Sequence, residues 1–422
     1  MKILIEHGGH RFSNMGDLAM LQITIERLKK LWPNAHLNVI ASNPEDLIRF
    51  CPDAHPIDAY GSHIWFYPLS KKLQDLVPGL LAQSIEQFEW KLRHQSPNLI
   101  KRLVHSKPSV KGQKSKHLDS FIEAIETADL IVCSGGGYIS DSFRSKVGIS
   151  MGILGLAAKL SKPTAMFGQG FGPLHEPDLF KKVKAVLPSV DMISLREKRS
   201  NLTLMNDLNV SPEKLIVTGD DAIEVAYRVH KNNIGHSIGV NLRIADYSNV
   251  NVGFIAVLKS TLQEFALKKK ADLLPVPIEF FDESSDTKTI QRLLEGYNNY
   301  SDGGQSLDAP EKIASQVSNC RVVVTGSYHA GVFALAQGIP VVALVKSLYY
   351  KDKFLGLADQ FGTGCKVVFL DDSQLQNSLA NAINEAWDSA EELRPKLLDR
   401  AKQQIDASYH AYQKFYQFIE NR

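Results

Sequence analysis

The chain has 422 residues, 44% of them hydrophobic and 22% charged, a composition that excludes a disordered polymer and a membrane-embedded bundle and a length that calls for two domains. With 48 basic and 46 acidic side chains, a formal net charge of +2, nothing in the overall balance draws it to nucleic acid or anionic lipid, so any anion site must be local. Its four cysteines, Cys51, Cys133, Cys320 and Cys365, show no Cys-x-x-Cys spacing and no histidine cluster nearby, and they read as reduced core residues rather than a disulfide framework or a metal site.

The opening MKILIE reads as a buried first strand, not a cleavable leader, and the longest apolar run, Val147 to Leu160, is too short for a spanning helix of ~20 residues. We therefore expect a cytoplasmic protein. In chain order the expected strands are Lys2–Glu6, His36–Ala41, Asp129–Cys133, Pro163–Phe167 and Asp191–Leu195, with helical periodicity between them. Asp17 to Leu31 places Leu18, Leu21, Ile25 and Leu28 on one face, with Asp17 as a candidate N-cap. A polar segment, Arg228 to His236, separates these from a second series at Ser237–Leu242, Ala271–Val276, Arg321–Thr325 and Val341–Val345, with helices beginning near Gly253, Ala309 and His329. The domains expected are thus 1–228, 237–372 and a helical tail over 373–422.

Residues 60–117 break this rhythm, being rich in Lys and Arg around Trp65 and Trp90 and closing on the polar KPSVKGQKSK. They predict a helical insertion followed by a flexible loop. Basic residues beside aromatics suit an acceptor glycan or the inner face of a membrane, although a solvated helical excursion has the same composition.

Four segments have the composition of ligand loops. His7 to Asp17 follows the first strand and contains Gly8, Gly9, Asn14 and Gly16. A glycine-lined backbone ahead of a helix N-terminus suits a polar or anionic ligand, and a plain turn is the alternative. His7 and His10 lack a third metal ligand in this reading, so no metal is expected. Gly135, Gly136 and Gly137, leading to Asp141, follow the apolar DLIVC. Gly168, Gln169, Gly170, Gly172 and Pro173 follow PTAMF in the same way. The fourth, Gly326-Ser327-Tyr328-His329, joins a strand to a helix, where a histidine can protonate a substrate, hold a phosphate, or be a buried structural residue. Strand, loop, helix and Gly338-Ile339-Pro340 also resemble the donor lobe of sugar-nucleotide glycosyltransferases, but the glutamate many of those use for the ribose is Phe333 here.

Taken in order, these motifs resemble the polysaccharide pyruvyl transferase family: Asn14-Met15-Gly16-Asp17, the triple glycine, Gly168 to Pro173, Ser194-Leu195-Arg196-Glu197, Gly219 to Ala222, Asn241-Leu242-Arg243 and His329 to Pro340. The resemblance implies an α/β fold of two Rossmann-like domains facing across a cleft, as in glycosyltransferase-B enzymes, with a helical C-terminal tail. It implies transfer of the pyruvyl skeleton of phosphoenolpyruvate to two hydroxyls of a sugar or lipid-linked glycan, without a cofactor. His329, Asp17 and Asp141 are then the catalytic candidates. Asn14, Gly16, Gly135, Gly136, Gly137, Gln169, Gly170, Arg196, Asp220, Arg243, Ser327, Tyr328 and Lys353 are the binding candidates. Many members carry an arginine where this chain has Ser327, and Lys353 is the cation expected to replace it. A glycosyltransferase of the same fold and a non-catalytic glycan-binding member are the competing readings.

Overall fold

The apolar runs become strands because their aliphatic, often β-branched residues are buried on both faces, the environment of a parallel sheet covered by helices. The computed structural model, which describes residues 1–71, 75–281, 285–298 and 301–422, contains two such sheets. The first holds β1 (Lys2–Glu6), β2 (His36–Ala41), β3 (Ala54–Asp58), β4 (Leu130–Cys133), β5 (Gly136–Ile139), β6 (Thr164–Phe171), β7 (Met192–Leu195) and β8 (Leu215–Val217). Its order is β3-β2-β1-β4-β6-β7-β8, with β5 paired to β6. Ile3 stands between Leu37 on β2 and Leu130 on β4, in parallel register with both. The second sheet holds β9 (Ser237–Asn241), β10 (Leu273–Pro275), β11 (Cys320–Thr325), β12 (Val341–Val345) and β13 (Cys365–Phe369), ordered β10-β9-β11-β12-β13 and likewise parallel.

Each sheet reverses strand order at one point, between β1 and β4 in the first and between β9 and β11 in the second. Chain leaving the carboxyl ends of the two strands at such a point diverges to opposite faces and opens a crevice. The four segments that leave there are residues 7–14, 134–135, 242–245 and 326–327, and the two crevices face each other. A short backbone pairing crosses between the lobes: Met15 N–H donates to the Ile278 carbonyl and Phe280 N–H to the Ser13 carbonyl, both at 2.8 Å.

Some expectations change. The helix expected from Asp17 begins at Met15, because the Asn14 side chain, not Asp17, accepts the Gly16 and Asp17 backbone N–H groups at 3.1 Å each. Gly168 to Phe171 is no loop but the end of β6, and Gly136 to Ile139 pairs with it as β5. The strands β3, β8 and β13 went unforeseen; they lie at sheet edges and are largely half-exposed, Pro56 and Lys366 interrupt the apolar pattern of β3 and β13, and β8 is only three residues long. Residues 60–117 do contain helices, at Tyr60–Phe66, Gly79–Gln95 and Pro97–His105, while 72–74 lie outside the described residues. The polar KPSVKGQKSK is only in part a loop, since a further helix starts at Gln113.

The tail is one helix, Leu375–Glu420, with Pro395 inside it. Its first half packs Leu379, Ile383 and Trp387 onto the second sheet's core. Farther along, Leu397 still lies against Gly364 of the second lobe, while Tyr412 and Phe415 pack onto the first, where the Tyr412 and Phe167 rings stack at 3.6 Å. No described helix is long and apolar enough to cross a membrane.

Candidate active site

The cleft between the facing strand ends narrows to a cavity of about 60 Å³ whose walls come from both lobes. The first lobe contributes Asn14, Asp17, Gly137, Tyr138, Phe143 and Lys146, and the second contributes Arg243, Tyr247, Glu279, Ser327 to His329, Tyr349, Tyr350 and Lys353.

His329 enters through the first turn of the helix Tyr328–Ala336, directly after β11. It packs so closely on the opposite lobe that a Cβ built on Gly16 would lie 2.0 Å from its ring. Only glycine fits there, which explains the motif Asn14-Met15-Gly16-Asp17 as a steric requirement. The His329 Nε2 stands 3.6 Å from an Asp220 carboxylate oxygen, within ion-pair reach but beyond a hydrogen bond, and is buried without a hydrogen-bond partner. Asp220 also meets the Arg196 guanidinium at 3.3 Å. Burial alone would raise the Asp220 carboxyl, but His329 and Arg196 outweigh it and hold it below the ordinary carboxylate value.

Three further cations define the field of the cavity. Arg243 pairs with Asp286 at 3.1 Å and donates to the Tyr247 hydroxyl at 2.8 Å. Burial works against its charge, yet Asp286 and the neighbouring tyrosines hold the guanidinium above its ordinary value. Lys353 reaches the cavity from the helix Leu348–Phe361, with its ammonium 3.9 Å from the Tyr349 ring centre and hydrogen-bonded to the Tyr349 hydroxyl. Burial, with Arg196 second, lowers its amine well below the ordinary lysine value. A Cβ on Gly137 would lie 2.4 Å from the Lys353 Nζ and 2.7 Å from Arg196, so this glycine is the floor on which two cations rest. Lys146, over the Phe143 ring at 4.9 Å, completes the set.

Of the residues expected from sequence, Asn14, Asp17, Gly137, Arg243, Ser327, Tyr328, His329 and Lys353 line the cavity. Gly16, Gly170, Arg196 and Asp220 stand directly behind that wall, with Arg196 4.3 Å from the Tyr328 ring centre. Gln169 supports the first lobe from within, donating to the Tyr138 hydroxyl at 3.1 Å, and Gly135 and Gly136 lie against Met20 and Tyr138. Asp141 does not belong here: its two carboxylate oxygens accept the backbone N–H groups of His175 and Glu176 at 2.7 and 3.2 Å, fixing a neighbouring turn. Lys146, Tyr247, Glu279, Tyr349 and Tyr350 were missed. Only the repeated Tyr-Tyr before Lys351 offered a signal, because the others lie in segments without glycine or motif character.

The two histidines of the first loop face inward. His10 pairs with the buried Glu6 at 2.7 Å, a carboxylate the sequence reading overlooked, and burial, with His10 second, pushes the His7 ring down to about 4. The thiols of Cys51, Cys320 and Cys365 are pushed up to about 12 by burial, as inert core groups.

Two parallel sheets whose carboxyl edges meet over a cationic cleft define a two-lobed α/β enzyme of the glycosyltransferase-B architecture. A putative UDP-N-acetylglucosamine 2-epimerase from Listeria monocytogenes shares it at TM-score 0.59 and 12% identity, over 100% of this chain and 97% of that one. UDP-GlcNAc 2-epimerase from Neisseria meningitidis, bound to UDP-GlcNAc, matches at 0.55 and 12%, over 100% of both chains. CalG4, the calicheamicin glycosyltransferase, matches at 0.50 and 12%, over 100% and 98%. At such identities the likeness shows the fold alone. No curated protein sequence matches. The chain belongs to the polysaccharide pyruvyl transferase family, whose profile matches residues 14–346, and is a transferase of that family.

Proposed function

We propose that the protein transfers the pyruvyl unit of phosphoenolpyruvate to two hydroxyls of one sugar in a cell-surface or exopolysaccharide glycan, closing a cyclic ketal and releasing phosphate. The observation that carries this reading is the meeting, at one small cavity, of the His329 ring, whose Nε2 faces Asp220 at 3.6 Å, with the basic side chains Lys146, Arg243 and Lys353. Phosphoenolpyruvate holds a phosphate and a carboxylate close together, and such a ligand needs fixed cations from more than one side. Lys353 supplies charge beside Ser327, where many family members carry arginine.

In this reading His329 gives its proton to C3 of the enol, and C2 takes on cation character. A sugar oxygen bonds to C2 while its proton passes to Asp17. The C2–O bond to phosphate then breaks, and the second hydroxyl of the same sugar adds to C2. Of the two hydroxyl protons, one replaces the proton given by His329 and the other leaves with phosphate. Asp220 orients the His329 ring, and Arg196 holds Asp220 in place and adds positive potential behind the wall.

A nucleotide-sugar transferase is the competing reading, and Phe333, fully buried in the core, lies where many such enzymes present a glutamate. The test is phosphate release from phosphoenolpyruvate, expected only when an acceptor glycan is present, run beside a thermal-shift panel of phosphoenolpyruvate, phosphate and nucleotide sugars. Stabilisation by a nucleotide sugar and none by phosphoenolpyruvate overturns the proposal.

A further inference from the structure

Charge is not spread evenly along this chain. Residues 60–117 contain ten Lys and Arg against three Asp and Glu, a net of +7, so the rest of the chain nets −5. The same 58 residues hold seven of the seventeen exposed large hydrophobic side chains among the described residues, including Leu76 at 83%, Phe88 at 66% and Leu81 at 56% exposure. Both properties share faces. On the helix Gly79–Gln95, Leu81 and Phe88 are two turns apart and Lys91 is the next position on that side. On the helix Pro97–His105, Leu99 and Leu103 are one turn apart with Arg102 beside them, while Ile100 and Val104 point inward. The ion pairs of this segment among the described residues leave Lys91, Arg102, Lys111, Lys114 and Lys116, all exposed, outside them.

Exposed leucine and phenylalanine interleaved with unpaired basic side chains suit a surface that offers negative charge outside and hydrocarbon just beneath it. We propose that residues 60–117 dock the enzyme on an anionic lipid bilayer, Leu81, Phe88, Leu99 and Leu103 entering the headgroup boundary and Lys91, Arg102, Lys111, Lys114 and Lys116 holding the lipid phosphates. A soluble acidic glycan would engage the lysines but gives no reason for the exposed apolar residues. The segment leaves β3 at the carboxyl edge of the first sheet, the edge that faces the cleft. Between it and the helix Arg144–Lys159 runs a groove of about 450 Å³ bordered by Tyr67, Trp90, Arg144 and Ser145, and Lys146 of the same helix stands in the cleft. A glycan carried on lipid would thus be presented beside the site, which rests on the proposed acceptor; the docking itself does not.

The experiment is sedimentation of the full chain with vesicles of phosphatidylcholine, alone or with ~30% phosphatidylglycerol. Binding is expected with phosphatidylglycerol only, to fall with added salt, and to drop about tenfold or more for Lys91→Glu/Arg102→Glu and for Leu81→Ser/Phe88→Ser. As a measurement independent of those variants, Phe88→Trp should gain blue-shifted fluorescence on anionic vesicles relative to wild type. Failure to sediment, equal binding to neutral vesicles, or binding unchanged in both double variants overturns the proposal, as does retention on an acidic polysaccharide without vesicle binding. Phosphate release with a short soluble acceptor should stay at the wild-type rate in both double variants, which separates a failure of docking from a failure of the proposed chemistry.

Discussion

Asp220 and Asp221 are consecutive, both buried, and face opposite ways. Asp221 looks toward the tail helix, where Arg27 approaches at 3.3 Å, the Tyr412 hydroxyl donates at 3.0 Å and the Ser408 hydroxyl donates to the same carboxylate. Tyr412 in turn meets Thr24 at 3.0 Å, so the network closes on itself. Asp220 looks toward the cleft, where its carboxylate faces the His329 Nε2 at 3.6 Å, an ion-pair distance not closed to a hydrogen bond. A polar cluster closed by short hydrogen bonds ties elements together; a looser pair at the wall of a cavity can readjust when charge arrives beside it. One chain turn thus separates structure from chemistry.

The contrast can be broken most forcefully at His329. His329→Gln should lower turnover about 10²- to 10⁴-fold, the usual contribution of a positioned acid or base, while the melting temperature stays close to wild type. A steady-state phosphate assay with a thermal melt reads both, and an unfolded variant would make His329 a core residue instead. On the other side, Arg27→Leu leaves Asp221 buried without its cation and should cost about 3 to 5 kcal/mol of stability. Urea unfolding measures it, and a loss near zero would mean that the tail helix is held by packing alone.

Lys353→Met should weaken phosphoenolpyruvate binding by about 1.5 to 3 kcal/mol, whereas Ser327→Arg should be tolerated or tighten it. Because burial and Arg196 depress the Lys353 amine, an arriving anion favours its charged form, and binding at a pH between the depressed value and the ordinary lysine value should take up protons in wild type but not in Lys353→Met. Calorimetry in two buffers of different ionisation enthalpy tests this directly. The smallest effect concerns acid stability. The Asp220 carboxyl is depressed in the folded state, so its contribution is present above the ordinary aspartate value of about 3.9 and is lost as pH falls through the folded value. Asp220→Asn should therefore lower stability near neutrality and flatten its decline in acid, and an unchanged acid limb would dissociate Asp220 from His329 and Arg196.

Much of this contrast was legible before the structure, but unevenly. Ile3–Glu6 and Val341–Val345 announce themselves because both faces are buried and each residue must be apolar or neutralised. The site motifs were readable where a steric rule constrains the residue, as at Gly16 beneath His329. Asp141 misled because an aspartate after three glycines fits a catalytic loop and a turn cap equally well, and only the positions of His175 and Glu176 decide. Tyr247 and Glu279 were invisible because they reach the cavity through the meeting of two lobes, a long-range fact with no local pattern.

The tail helix and Arg394 also set the mechanics of the cleft. The chain passes between the lobes twice, once before β9 and once within Leu375–Glu420. Arg394 donates to the Gln337 carbonyl at 2.7 Å and to the Lys231 carbonyl, thereby riveting the second crossing to the first. The adjoining Pro395 has no N–H to give the preceding turn, which makes that turn the compliant part of an otherwise stiff rod. With both crossings tied together at Arg394, the lobes share one braced bridge, so the seating of His329 over Gly16 depends on contacts made outside the cavity as well as within it.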